Sequence, residues 1–329
     1  MSVLTVSRRV LIASLIATPA YARRLARAPA HAPGRRVSVT VALDRHGRLA
    51  PQWIGLIRDR IDANELAGVR MSPRALSGDD TQWISAIRSG APSWIKDIGR
   101  LDAPFGADRP PVVLAVVVGN GGGDDAFSTP PNLIAFDLAA LGNTYGAVDP
   151  AALPTLVGRL LSREYMRLRL NAYLAGNGWA PDWAAKDPFL AALRNLYVQG
   201  LSTLRGIEGD PRWLTADNSL TPEAKKVLVD LQPVVVERLK GLAAKPSPQV
   251  ANGWLHDMSQ GPFERRWGAL PIALWLATDT GYDAGRIAAW IGGKPDGLLQ
   301  LAAGQADRKY QRAFSDLQSA AADRISEYR

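Results

Sequence analysis

The half of the chain after residue 148 carries almost only helix patterns, and this constrains the fold more than any other feature of the sequence. Three helix starts share one arrangement, a capping side chain followed by proline: Asp149-Pro150, Asp187-Pro188 and Thr221-Pro222. The capping side chain accepts hydrogen bonds from unpaired backbone N–H groups, and proline at the first helical position has no N–H to leave unpaired. Pro154 offers a later start for the first helix after a short turn, and Gly176 is its expected end. Further helices are predicted at 222–243, 262–277, 283–292 and 306–327.

The first half of the chain mixes strand and helix patterns. Residues 36–44 alternate apolar and polar side chains, as a half-buried strand does, and 110–119 form a β-branched run typical of a buried strand. A third, shorter strand is predicted at 132–138, and helices are predicted at 51–66 and 80–99. Strands and helices followed by helices alone predict an α+β fold, with a small β-sheet packed on a mainly helical body.

The first 22 residues have the parts of an export signal. Arg8 and Arg9 precede a short apolar run, and Ala20-Tyr21-Ala22 fits a small-x-small cleavage site. The residues around the two arginines also resemble the twin-arginine export motif. An uncleaved anchor or a buried strand is the alternative.

These observations predict a periplasmic or secreted protein with three parts. They are a signal peptide at 1–22, a basic Ala/Pro-rich linker at 23–35 and a single domain at 36–329. Within that domain we expect a mixed strand and helix part at 36–148 and a helical part at 149–329.

Composition removes several classes of function. The chain has no cysteine, and its histidines, His31, His46 and His256, are far apart in the sequence. Disulfides, thiolate nucleophiles and cysteine-based metal sites are therefore excluded, and we expect no cofactor. The sequence contains no apolar stretch long enough for a transmembrane helix and no basic module typical of nucleic-acid binding. A serine hydrolase is disfavoured because the Gly-x-Ser-x-Gly elbow is absent.

The predicted helix around 156–171 carries two arginines within an apolar stripe. Six positions at alternating spacings of four and three form the stripe: Leu156, Leu160, Arg163, Arg167, Leu170 and Leu174. Glu164 lies at a spacing that allows it to pair with Arg167. Arginine is mostly exposed in proteins, so the pattern alone leaves open whether the two arginines face water or a cleft.

Three stretches of this chain resemble the layout of zincin-type metallopeptidases: VVLAVVVGNGGG, LLSREYMRLRL and LYVQGLSTL. In that layout, a strand ends in glycine and is followed by a glycine-rich loop, an edge strand and a helix with H-E-x-x-H. In the subgroup of zincins whose third zinc ligand is a glutamate, that glutamate lies on a second helix. The chain is similar in detail to a family of predicted zinc-dependent proteases catalogued as a domain of unknown function. The resemblance covers roughly residues 110–205 and implies a zincin-like fold.

The chain departs from that pattern at every metal ligand. Arg163 and Arg167 stand at the two histidine positions and Gln199 at the glutamate position, whereas Glu164, at the general-base position, is kept. A guanidinium has no lone pair and stays protonated. At about 4 Å and an effective dielectric of about 20, it would repel a dication by about 8 kcal/mol. The resemblance therefore implies a catalytically inactive protein that holds no metal.

Two roles stay open for the arginine pair. Arg163 and Arg167, with Gln199 beside them, either bind an anionic ligand or are purely structural. The carboxylate of a peptide or of a cell-wall stem peptide is the ligand that we expect in the first case. A third possibility is an interaction protein that shares only the scaffold.

A metal-independent hydrolase acting on cell-wall glycan or peptide is the alternative function. It would use Glu164 with a second carboxylate, Asp137 or Glu208, and tryptophans as platforms for sugar rings. The loop GNGGGDD carries no phosphate-binding motif, because the Gly-Lys-Ser/Thr ending is absent, and is predicted to be a flexible turn between two strands.

Overall fold

The computed structural model describes residues 36–327, apart from several short gaps. The gaps are 59, 62, 72–74, 106–112, 122, 178, 180–185, 218 and 259–265. The predicted export signal at 1–22 and the predicted linker at 23–35 lie outside the described residues. Of the helices in the described part, none has both the length and the apolar character that a membrane crossing requires.

Four strands form a small mixed sheet with the order β1-β2-β4-β3. They are β1 (Arg36–Val41), β2 (Val113–Gly119), β3 (Ala126–Thr129) and β4 (Leu133–Asp137). Strands β1, β2 and β4 are parallel, and β3 runs antiparallel to β4 at one edge. The three predicted strands are confirmed. The sequence does not reveal β3, because four residues are too few for an alternating pattern to stand out.

Helices make up most of the remaining structure. Among the described residues, five α-helices precede residue 149: α1 (Pro51–Ile57), α2 (Ala63–Met71), α3 (Gly78–Trp94), α4 (Ile98–Asp102) and α5 (Leu138–Tyr145). Eight follow in the same described part: α6 (Leu153–Gly176), α7 (Pro188–Ile207), α8 (Pro222–Ala243), α9 (Pro248–Asp257), α10 (Ala269–Thr280), α11 (Ala284–Gly292), α12 (Gly297–Gln305) and α13 (Arg308–Glu327). The fold is therefore α+β, with a small sheet packed on a mainly helical body, as predicted.

The capped helix starts form at two of the three predicted places. Asp187 and Thr221 cap α7 and α8 by accepting hydrogen bonds from backbone N–H groups of the first turn. Helix α6 instead has Pro154 in its first turn, and Asp149 belongs to a separate turn before it. The predicted end of this helix at Gly176 is confirmed.

Other helix boundaries differ from the prediction. The segment 51–66 forms two helices, α1 and α2, rather than one. The helix predicted at 262–277 is α10, which begins at Ala269; residues 262–265 of the prediction lie outside the described residues. The N–H groups of Gly268 and Ala269 both donate to the carbonyl of Met258 and hold the chain in a turn before the helix. Helices α5, α9 and α12 are absent from the prediction, since each is short, with eight to ten residues.

Apolar side chains cover the sheet on both faces. On one face Val116 and Ile134 pack in a cluster with residues of α3, α5 and α6. On the other face Val117 and Ala135 pack with Trp53 of α1. Strands β2 and β4 are therefore buried on both sides, which explains their continuous apolar sequences.

Helix α6 joins the sheet to the helical body. Leu161 and Tyr165 belong to the cluster beside the sheet, whereas Leu170 and Leu174 belong to the large cluster of the helical body. The polar side chains in the middle of this helix consequently lie between two apolar cores.

The glycine-rich loop begins where β2 passes under a tryptophan. A Cβ atom at Gly119 would lie 1.9 Å from the indole ring of Trp53, so only glycine fits at the end of this strand. The indole N–H of Trp53 donates to the carbonyl oxygen of Asn120 at 2.8 Å. The loop therefore leaves the sheet at a fixed point and leads into β3.

Helix α10 packs directly against α7 at Gly200, and replacing this residue by alanine should destabilise the protein. The added Cβ would lie 2.3 Å from Cγ2 of Ile272, so we expect a loss of about 1–3 kcal/mol from overpacking. The matched control is Gly253→Ala in α9, where a Cβ meets nothing within 4 Å. That change should stabilise the helix by about 0.5–1 kcal/mol. Urea unfolding measures both, and equal effects would contradict the close packing.

Candidate functional site

The apolar stripe of α6 is buried, and its two arginines are buried with it. Leu160, Leu170 and Leu174 are at most 3% exposed, and Arg163 is 2% exposed. The side chain of Arg167 keeps 17% of its surface exposed. Both arginines therefore face the protein interior, which answers the question that the sequence pattern leaves open.

Arg163 lies between two carboxylates. The two terminal nitrogens of its guanidinium donate to the two oxygens of Asp125, at 2.8 and 3.1 Å. Its Nε donates to Oε1 of Glu164 at 2.8 Å. Because Asp125 immediately precedes β3, this arginine ties the edge of the sheet to α6.

Arg167 extends these contacts to α7. One terminal nitrogen donates to Oε2 of Glu164 at 2.9 Å, and the other donates to the side-chain oxygen of Gln199 at 2.8 Å. Glu164 is 0% exposed, and each of its oxygens accepts a hydrogen bond from one arginine. The structure thus brings together all four site residues predicted from the sequence. We call them, with Asp125, the arginine–carboxylate network.

Further groups surround Asp125. The hydroxyl of Tyr145 at the end of α5 donates to Oδ2 at 2.7 Å, and the N–H of Ala126 donates to Oδ1 at 2.8 Å. Arg266, which is 8% exposed, adds a second positive charge that acts on this carboxylate. Asp125 is the member of the network to which the sequence assigns no role. It lies 38 positions before Arg163, and no local pattern links the two.

Charges within the network stabilise one another. Burial favours a higher pKa for Asp125, but the charge and hydrogen bonds of Arg163 outweigh it and hold the pKa well below its usual range. Burial likewise acts to lower the pKa of Arg163, and the charges of Asp125 and Glu164 outweigh it, so that this pKa is raised. Burial lowers the pKa of Arg167, against the opposing effect of Glu164. Ion pairing therefore keeps Asp125 and Arg163 charged.

The two candidate partners of Glu164 in hydrolysis have other contacts. Asp137 at the end of β4 accepts hydrogen bonds from the N–H groups of Gly121 and Gly123, and it also caps α5. This carboxylate fixes the shape of the glycine-rich loop, which joins β2 to β3. Glu208 follows the end of α7, where it pairs with Arg100 and Arg205.

The residues that the sequence resemblance sets at the metal-ligand positions do not fit a zinc ion. Within the described part of the chain, no three histidine, aspartate or glutamate side chains come together as a possible metal group. Asp125 and Glu164 are both paired with Arg163, and a guanidinium offers no lone pair to a metal. A dication placed here would also face two fixed positive charges. These side chains therefore support no catalytic step that uses a metal ion.

Comparison of the chain with protein-family models, with curated proteins and with solved structures gives no match. The α+β class follows from the structure itself. The relationship to zincin-type peptidases stays a prediction from the three sequence stretches that resemble them.

Acid should destabilise the protein through Asp125. Its pKa in the folded state is depressed, so its contribution to stability is present above the unfolded value of about 3.9 and is lost as the pH falls below it. In Asp125→Asn this part of the pH dependence should disappear. Stability at neutral pH should also fall by about 3 kcal/mol, because Arg163 loses one charged partner.

Urea unfolding at neutral pH and at about pH 3 measures this dependence. Asp316→Asn on the exposed side of α13 is the matched control and should behave like the wild type. If Asp125→Asn and the wild type lost the same free energy of unfolding on acidification, the proposed contribution of Asp125 would be wrong.

Proposed function

We propose that this chain is a catalytically inactive, zincin-like protein in which two arginine side chains occupy the place of a metal ion. One observation carries the proposal: both oxygens of the fully buried Glu164 accept hydrogen bonds from Arg163 and Arg167. A general base needs an oxygen that can reach a water molecule or a substrate proton. Here the residue at the general-base position is enclosed, and the residues at the ligand positions are cations.

The network has a structural role in this proposal. It connects three segments that are distant in sequence: the end of the glycine-rich loop, α6 and α7. Asp125, Arg163, Glu164 and Arg167 alternate in charge, and the chain of contacts ends on the neutral amide of Gln199. Alternation gives each buried charge an opposite neighbour, which offsets the cost of removing it from water. Forked hydrogen bonds from Arg163 to Asp125 also fix the relative orientation of the sheet edge and α6.

Anion binding at Arg167 is the second candidate function. Nε of Arg167 is buried and has no hydrogen-bond partner among the described residues, although part of this side chain reaches the surface. The carboxylate of an anionic peptide or a cell-wall ligand would pair with the exposed part of this guanidinium rather than with its enclosed Nε. In this case Arg167 and Gln199 contact the ligand, and Arg163 holds Glu164 in place behind them.

A metal-independent hydrolase that uses Glu164 is the remaining alternative. Such an enzyme needs two carboxyl groups that flank a substrate, one of them able to give or take a proton. Glu164 is 0% exposed, and Asp137 and Glu208 are held by other donors. We therefore favour a catalytically inactive protein over a metal-independent hydrolase.

Export is a further part of the proposal. Arg8, Arg9 and the apolar run after them support a signal peptide at 1–22, so the mature protein would act in the periplasm or outside the cell. A carboxylate from a cell-wall stem peptide is available there.

Restoring the metal ligands tests the proposal directly. We expect the purified wild type to contain no stoichiometric zinc and to keep its unfolding midpoint in the presence of a chelator. The triple variant Arg163→His, Arg167→His and Gln199→Glu should bind about one zinc ion per chain, because a zincin-like backbone places these ligands together. Zinc should raise its unfolding midpoint, and a chelator should reverse the gain.

The matched control carries Arg163→Gln, Arg167→Gln and Gln199→Glu. It removes the same two cations without supplying imidazole, and it should bind no zinc. A folded triple variant that fails to bind zinc would contradict the zincin-like relationship. Stoichiometric zinc in the wild type, lost together with a peptidase activity on chelation, would contradict the inactive assignment.

A further inference from the structure

Arg194 of α7 is a buried cation that meets only neutral groups in the described part of the chain. The residue is 6% exposed. Its Nη2 donates to the side-chain oxygen of Asn171 at 2.9 Å, and its Nε makes a long contact of 3.4 Å with the carbonyl oxygen of Trp179. No carboxylate among the described residues pairs with this arginine. Its positive charge is therefore unbalanced.

Other buried arginines differ from Arg194 in this respect. Arg163, Arg169 and Arg205 are buried to a similar degree, and each has a carboxylate oxygen within 3.1 Å. Burial lowers the pKa of Arg194, and no charge in the described part of the chain opposes this effect. A cation that is removed from water without an opposite charge is strongly unfavourable. Arg194 thus lacks the kind of partner that the fold supplies to the other three.

One nitrogen of Arg194 is available to a ligand. Nη1 makes no hydrogen bond with a described residue, and it is not among the unpartnered atoms that the fold encloses. It therefore reaches the surface, whereas Nη2 and Nε are directed at neighbouring groups. Asn171 beside it is partly exposed, and its Nδ2 donates one hydrogen to the carbonyl oxygen of Arg167 at 3.0 Å. The second hydrogen of Nδ2 remains for another acceptor.

The charge and the donors define the group that would fit. A single positive charge is balanced by a monoanion, whereas a phosphate group carries about 1.5 to 2 negative charges at neutral pH. A carboxylate has one negative charge and two acceptor oxygens, one for Nη1 of Arg194 and one for Nδ2 of Asn171. A chloride ion has the charge but offers only a single acceptor atom. Charge-assisted hydrogen bonds to a carboxylate are also stronger than bonds between neutral groups.

We propose that Arg194 binds the carboxylate group of a ligand at the surface between α6 and α7, with Asn171 as the second donor. The small exposed area of Arg194 admits the carboxylate, and the rest of the ligand lies outside on the surface. A small organic acid and the C terminus of a peptide share this chemistry. The inference goes beyond the proposed function, because Arg194 lies outside the arginine–carboxylate network and does not depend on a zincin-like ancestry.

Acetate is the probe that tests the proposal on the full chain. With ¹⁵N-labelled arginine, the Nε–H resonance of Arg194 should shift in a saturable way during an acetate titration at neutral pH. In a separate titration from the same low-salt buffer, chloride should bind at least about ten-fold more weakly. A third titration, with N-acetylalanylalanine, identifies the source of the carboxylate. Tighter binding than acetate indicates a peptide C terminus, and equal binding indicates a small organic acid.

Variants locate the bound acetate through its effect on stability. Saturating acetate should raise the urea unfolding midpoint of the wild type, because it binds only the folded state. Arg194→Gln keeps N–H donors without the charge and should lose this gain. In acetate-free buffer its midpoint should be no lower than that of the wild type, because the change removes an unbalanced buried charge. Arg88→Gln, at an exposed position of α3, is the matched control and should keep the full gain.

Three results would overturn the proposal. The first is the absence of a saturable acetate shift at Arg194. The second is an equal gain from acetate in Arg194→Gln and the wild type, which would indicate binding elsewhere or a general salt effect. The third involves Asp182, a carboxylate close to Trp179 in the sequence but outside the described residues. Energetic coupling between Asp182→Asn and Arg194→Gln in urea unfolding would show that the chain itself balances this arginine.

Discussion

A guanidinium group that is 2% exposed needs opposite charge on more than one side, and the centre of this structure is arranged around that requirement at Arg163. Asp125 accepts from one end of the guanidinium and Glu164 from its Nε. Glu164 in turn requires Arg167, because a fully buried carboxylate with one unmatched oxygen is costly. Arg167 then reaches Gln199. Each member of the network is therefore stabilised by the group beside it, and removing one charged member leaves a buried charge without its partner.

Packing around Arg163 shows that the helical body accommodates the side chain closely. A Cβ atom at Gly206 of α7 would lie 3.3 Å from Cδ of Arg163, so the two helices meet with the aliphatic part of the arginine between them. Asp125, which also accepts a hydrogen bond from Tyr145, closes the other end of the side chain. Arg163 thus packs against α7 through its methylene groups and forms ion pairs through its guanidinium group.

The sequence predicts the α+β class because helix caps and apolar periodicity are local signals, and Asp187 and Thr221 form the caps that their positions indicate. It also places Arg163, Glu164 and Arg167 on one face, since helical spacing suffices for that. It does not reveal Asp125, whose contact with Arg163 arises only when β3 packs beside α6.

The central claim is that Arg163 acts as a buried ionic cross-link between the sheet edge and α6. A double-mutant cycle between Arg163→Met and Asp125→Asn measures it most directly, with the free energy of unfolding determined in urea for all four proteins. The account predicts a coupling energy of at least about 2 kcal/mol, because each single change leaves a buried charge without its partner. Additive effects, with a coupling below about 0.5 kcal/mol, would contradict it.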